Sequence, residues 1–200
     1  MPRLLFFLLW VASAASAQAQ APAPTPEQSF DLFARFMLEG DADAEAQMAT
    51  LTGMPVHTER WEDAVDRMVI GDAPADNART RAGRELSRQV ALALRQTRCR
   101  STGSERQDNG DIQIAIVAYA CQVPEYAQVK ERRSDDAVPE PGDEGELAGV
   151  NEVIALLQRA PKRVHTGSVT LARGGENDVW APQDLPSLHQ WIQLLLALTE

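Results

Sequence analysis

The chain has 200 residues, 44% of them hydrophobic, and a formal charge of −10. That hydrophobic share excludes a disordered chain, and the length suits one domain. The acidic balance argues against nucleic acid as a partner, and the absence of a fixed period excludes solenoids and long coiled coils.

Residues 1–19 have the form of a secretory signal peptide. Arg3 precedes an apolar run from Leu4 to Ala12, and Ala17-Gln18-Ala19 is an A-x-A cleavage site, with Ala15-Ser16-Ala17 as an alternative. The run is well short of the roughly 20 residues that span a bilayer, so cleavage is expected rather than anchoring. Loss of Arg3 takes the mature charge to −11. Residues 20–25 are Pro-rich and small, as in a flexible tether. The expectation is an exported chain, periplasmic or secreted, with no membrane insertion after cleavage. A strong preference for Arg (17) over Lys (2) fits a bacterial source.

A single domain is expected over residues 26–200. Thr25-Pro26-Glu27-Gln28 predicts a capped helix start, with Phe30, Phe33, Ala34 and Met37 on one face, Leu32 and Phe36 on a flank, and Gly40 as the stop. Asp41 restarts a short helix with Ala44, Met48 and Leu51 turned inward. A third helix carries the stripe Trp61, Ala64, Val65, Met68 and Val69 and ends at Gly71. From Asp76 to Gln96 two periods compete. Leu86, Val90, Ala93 and Leu94 fit a helix, whereas Val90, Leu92 and Leu94 alternate as in a strand. The abundance of Ala, Leu, Arg, Glu and Gln favours the helix.

Two strands follow. Residues 98–106 are polar, as at a sheet edge, and residues 111–123 are apolar on both faces, as in a central strand. Asp108-Asn109-Gly110-Asp111 between them predicts a type I′ hairpin with residues 109 and 110 in the loop. Such a turn pairs residues whose numbers sum to 219. Cys99 and Cys121, the only cysteines, sum to 220. A cross-strand disulfide between them therefore requires a three-residue loop or one β-bulge. An even cysteine count in an exported chain predicts that bridge.

Residues 130–148 are read as an acidic loop, with six carboxylates between Ser134 and Glu146. A short helix over 150–158 and strands over 162–173 and 176–181 come next. A final helix opens near Asp184, with Leu188, Trp191, Ile192, Leu195 and Leu198 as its apolar stripe. The order implies an α+β fold, with N-terminal helices packed on a small antiparallel sheet of about four strands and a C-terminal amphipathic helix.

No catalytic or cofactor motif is present. His57, His165 and His189 form no compact ligand pattern, and the acids from Asp41 lack the Gly and Glu of an EF-hand. No metal and no cofactor are expected. Triads and carboxylate pairs assemble in space, so a hydrolase with a non-local site stays open. Charge segregation is the most informative functional feature. Residues 27–76 hold 12 acids against 3 bases, residues 79–106 hold 8 Arg against 2 acids, and residues 125–152 hold 9 acids against 3 bases. Arg81, Arg84 and Arg88 share a helical face. Either they neutralise the acidic helices, or they form a surface for an anionic partner. The expected function is a non-enzymatic protein that binds another macromolecule, an inhibitor or immunity-like protein among the possibilities. The alternative is a small-ligand-binding protein whose pocket is lined by Trp61, Trp180 and Trp191.

Overall fold

The computed structural model describes residues 23–53, 55–56, 59–71, 77–125, 143–174, 177–184 and 186–196. The signal segment, His57 and most of the acidic loop lie outside these residues. The described elements are α1 (Pro26–Glu39), α2 (Ala42–Thr52), α3 (Trp61–Ile70), α4 (Ala78–Arg95), β1 (Arg100–Asn109), β2 (Ile112–Pro124), α5 (Asp143–Arg159), β3 (Lys162–Gly174), β4 (Asn177–Pro182) and α6 (Leu188–Leu196). The strands form one antiparallel sheet in the order β1-β2-β3-β4, with α5 inserted between β2 and β3. The architecture is α+β.

Local sequence chemistry sets the helix ends. Thr25 and Gln28 make a reciprocal capping box: the Gln28 N–H donates to Thr25 Oγ1 at 3.2 Å, and the Thr25 N–H to Gln28 Oε1 at 2.9 Å. Gly40 closes α1 at φ +59°, with its Cα against the Trp61 ring. Asp41 then caps α2 by accepting the Asp43 and Ala44 N–H groups at 3.0 Å, and it takes a fork from Arg35 at 2.7 and 2.9 Å. The Ala44 N–H and the Arg35 guanidinium hold its carboxyl below the usual range.

The ambiguous stretch is helical. α4 buries Val90, Ala93 and Leu94 and leaves Leu92 exposed, which is the pattern of period 3.6 rather than 2. Two expected inward residues point the other way, Leu51 at 36% and Met68 at 42% exposure. α2 and α3 are short, and each packs along a narrow stripe. Ala44 and Met48 suffice on α2, and Val65 is the fully buried residue of α3.

The hairpin turn is displaced by one residue. Asn109 pairs with Ile112, so Gly110 and Asp111 form the loop and the pairs sum to 221. Gly110 has φ +66°, and Asp111 does not share a positive φ. One left-handed residue at the first loop position is the type II′ pattern, which places Gly first and leaves Asn in the strand. A bulge between Ser101 and Gly103 then drops the sum to 220, so that Ser101 faces Tyr119 and Cys99 falls opposite Cys121. The two cysteines are bonded.

Two further boundaries differ from expectation. α5 begins at Asp143, so residues 143–148 of the expected acidic loop are helical. α6 begins at Leu188 rather than near Asp184. Asp184 accepts the Thr170 N–H at 2.8 Å and ties the chain to β3, while Ser187 and Gln190 form a second capping box. Leu188, Trp191 and Ile192 are buried as expected; the side chains of Leu195 and Leu198 fall outside the described set.

The main core lies between one face of the sheet and the helices. β2 contributes Ala115, Val117, Tyr119, Cys121 and Val123, and β3 contributes Val169 and Leu171. Phe30 stacks on Tyr119 at 5.1 Å, and Trp191 meets the same ring edge-on at 5.7 Å. Gly167, directly across from Tyr119, has its Cα beneath that ring, where a Cβ would collide with it. A second small cluster of Leu32, Ala44 and Met48, with Phe33 and Phe36, fills the α1–α2 corner, so α1 is buried on two sides.

β2 is central in strand order, but among the described residues it is covered on one face only. Ile112 is 52% exposed, Ile116 39% and Val164 58%. With them stand Ile114, Ala118 and Ala120 on β2 and Thr166, Ser168, Thr170 and Ala172 on β3.

Candidate functional site

α3 and α4 pack as an antiparallel pair. Gly83 lets them meet at one end, where its Cα abuts Ile70, and Arg95 closes the other end on Glu62. Between these points runs an open groove of about 270 Å³. Glu62, Asp63 and Asp66 of α3 form one wall. Arg84, Arg88 and Arg95 of α4 form the other, and Ser87, Ala91 and Leu92 also line it.

Several of these charges are already engaged. Arg95 also donates to the Glu39 carbonyl at 3.1 Å and lies 5.1 Å over the Trp61 ring, so it is a structural pin between α1, α3 and α4. Its partner Glu62 is held below the ordinary carboxylate range by its own backbone N–H and by Arg95. Arg88 forks onto Glu85 of its own helix at 2.7 and 2.9 Å, and Glu85 is lowered by Arg88 and then by Gln89. Asp63, Asp66 and Arg84 make no side-chain hydrogen bond or ion pair among the described residues. Among the described residues the groove thus keeps one free cation and two free anions.

Of the three arginines singled out in the sequence, Arg84 and Arg88 line the groove and Arg81 does not. Arg81 lies N-terminal to Gly83, past the point where α3 ends against α4. Sequence reasoning missed Glu62, Asp63, Asp66 and Arg95. The signal was present: Glu62 and Asp66 are four apart on one helix, opposite in sign to the arginines of the next. What the sequence lacks is the antiparallel pairing that sets the two rows face to face.

The tryptophans do not surround one pocket. Trp180 and Trp191 are buried in the core at 2% and 3% exposure, and Trp61 packs against Gly40 and donates its indole N–H to the Met37 carbonyl at 2.9 Å. The gap beside Trp191, bounded by Phe30, Phe33 and Met37, is about 10 Å³, at the bare limit for one water. His165 on β3 and His189 on α6 have different surroundings. His165 lies 6.4 Å from the Tyr119 ring, and His189 contacts Gln193 at 2.9 Å. Among the described residues no group of three His, Cys, Asp or Glu is placed to hold a metal ion, and no helix is long and apolar enough to cross a membrane. The chain matches no family model, no curated protein and no solved structure.

Proposed function

We propose that the chain is exported, with residues 1–19 removed as a signal, and that it acts without catalysis by binding another protein through the α3–α4 groove. The disulfide between Cys99 and Cys121 supports the exported compartment, because such bridges persist where thiols are oxidised. The observation that carries the binding reading is the set of charges in the groove without a partner among the described residues, Asp63 and Asp66 on one wall and Arg84 on the other, with Leu92 41% exposed beside them. A nucleic acid or an anionic glycan carries one sign and is repelled by the acidic wall. A protein surface carries both signs as well as apolar side chains. Exposed charges of this kind contribute to association rate and specificity more than to affinity. The volume lies just below the range of small-ligand pockets, and the walls are more charged than such pockets usually are.

The test is retention from an exported fraction on immobilised protein at low salt, repeated with Arg84→Glu and Asp66→Lys. The expected result is one partner retained by the native chain, weakened by either substitution and released as ionic strength rises. Retention indifferent to both substitutions would refute the groove as the contact surface.

A further inference from the structure

The charges of the α3–α4 groove are ordered along its length. Asp63 adjoins Glu62 at the end that Arg95 closes, and Arg84 adjoins Gly83 at the end where Ile70 meets α4. Asp66 lies between these ends on α3. Other charges of the lining are answered within the chain, Glu62 by Arg95 and Arg88 by Glu85. Among the described residues the groove is therefore negative toward one end and positive at the other. Leu92, exposed and three residues from Arg95, stands toward the negative end. The helical rise sets the intervals. Asp63 is seven residues and Asp66 four residues from Ile70, so they stand about 10 Å and about 6 Å along the axis from the end that Arg84 marks.

We infer that the groove seats a helix of the partner protein that carries an acidic side chain toward Arg84 and, four and seven residues away on the same face, basic side chains toward Asp66 and Asp63. This docking mode rests on the groove being the contact surface, and it adds the occupant's form and charge order. The interval selects a helix. Asp63 and Asp66 are about 4.5 Å apart along α3, whereas same-face side chains of an extended strand are about 7 Å apart. A helix laid beside α3 repeats the intervals of α3, and its positions i, i+4 and i+7 share one face. The furrow between two packed helices is also a usual seat for an amphipathic third. Charge selects the pattern on that helix. An all-basic face meets Arg84 and an all-acidic face meets Asp63 and Asp66, so a segment of one sign is opposed at one end. Apolar side chains on the docked face rest on Leu92.

Three labelled, end-blocked, alanine-based peptides of about 18 residues, long enough to be helical, test the docking mode. One carries Glu at i with Lys at i+4 and i+7, an order that also supports the isolated helix; the second carries Lys and the third Glu at all three positions. Each is titrated with the purified chain to roughly 1 mM and followed by fluorescence anisotropy at low salt. The mixed peptide should bind about tenfold more tightly than either single-sign peptide. Arg84→Glu, at an exposed position, should move the preference to the all-Lys peptide and leave the circular dichroism spectrum unchanged. Equal binding of the mixed and all-Lys peptides to the native chain overturns the charge order, as does a preference that Arg84→Glu does not move. No binding of any peptide overturns the helical occupant. In each of these cases a natural partner still weakened by Arg84→Glu or Asp66→Lys would leave the groove standing as the contact surface, whereas a partner indifferent to both would remove the groove itself.

Discussion

The two faces of the central strand differ in what surrounds them more than in what they are made of. β2 is apolar on both sides. Ala115, Val117, Tyr119, Cys121 and Val123 are covered by helices, while Ile112 and Ile116, one residue out of step, are exposed at 52% and 39%. Residue type therefore does not tell a core position from a surface position on this strand. The distinction comes from which side α1, α4 and α6 occupy; the side they leave bare keeps its isoleucines exposed.

Substitutions on the two faces should break this symmetry. The largest effect is expected from truncating the aromatic centre. Trp191→Ala should lower the unfolding free energy by about 3–5 kcal/mol, read from urea unfolding, because it empties the space beside Tyr119 and Phe30. Ile116→Ala on the open face should cost under about 1 kcal/mol in the monomer. Replacing both Cys99 and Cys121 by Ala should cost about 3 kcal/mol through the freed 22-residue loop, with the same secondary structure by circular dichroism. Gly167 and Ser168 are adjacent on β3 but face opposite sides. Gly167→Val should cost about 1–3 kcal/mol, because its Cβ meets the Tyr119 ring, and Ser168→Val should be nearly neutral.

A pH-dependent effect is expected at the α1–α2 corner, away from the sheet. Asp41→Asn keeps a capping oxygen but removes the charge that Arg35 answers. The carboxyl of Asp41 is lower in the folded chain than its ordinary value. Its stabilisation is thus present above about pH 4 and is lost as pH falls through the folded value. The variant should be less stable than the native chain by about 1 kcal/mol at pH 7, and the gap should close in acid. Melting midpoints followed from pH 7 to pH 2 measure this; a gap that stays constant would assign the effect to hydrogen bonding rather than charge.

Short-range chemistry was legible residue by residue. Thr25 with Gln28, Gly40, Asp41 and Gly71 mark helix ends at the positions the sequence predicts, because caps and left-handed glycines act over a few bonds. The cysteine pairing and its need for a one-residue offset were also legible, since register arithmetic is local to the hairpin. The device that supplies the offset was not. The bulge between Ser101 and Gly103 sits in a polar stretch with no distinguishing pattern, and the choice between loops 109–110 and 110–111 depends on which turn type suits the two strands. Arg84 and Arg88 were named from helical spacing, but their acidic counterparts were not, because Glu62, Asp63 and Asp66 face them only through the packing of α3 on α4.

By itself the sequence determined the α+β order of elements, the caps that bound its first helices, the hairpin and the segregation of charge. Each of these depends on periodicity or on contacts a few residues apart. Only the tertiary structure decided which face of β2 is core, why Arg81 lies outside the groove while Arg84 lines it, and where an uncharged surface is left open. Those outcomes depend on how elements many residues apart are placed against one another, and burial is a property of that placement rather than of any residue alone.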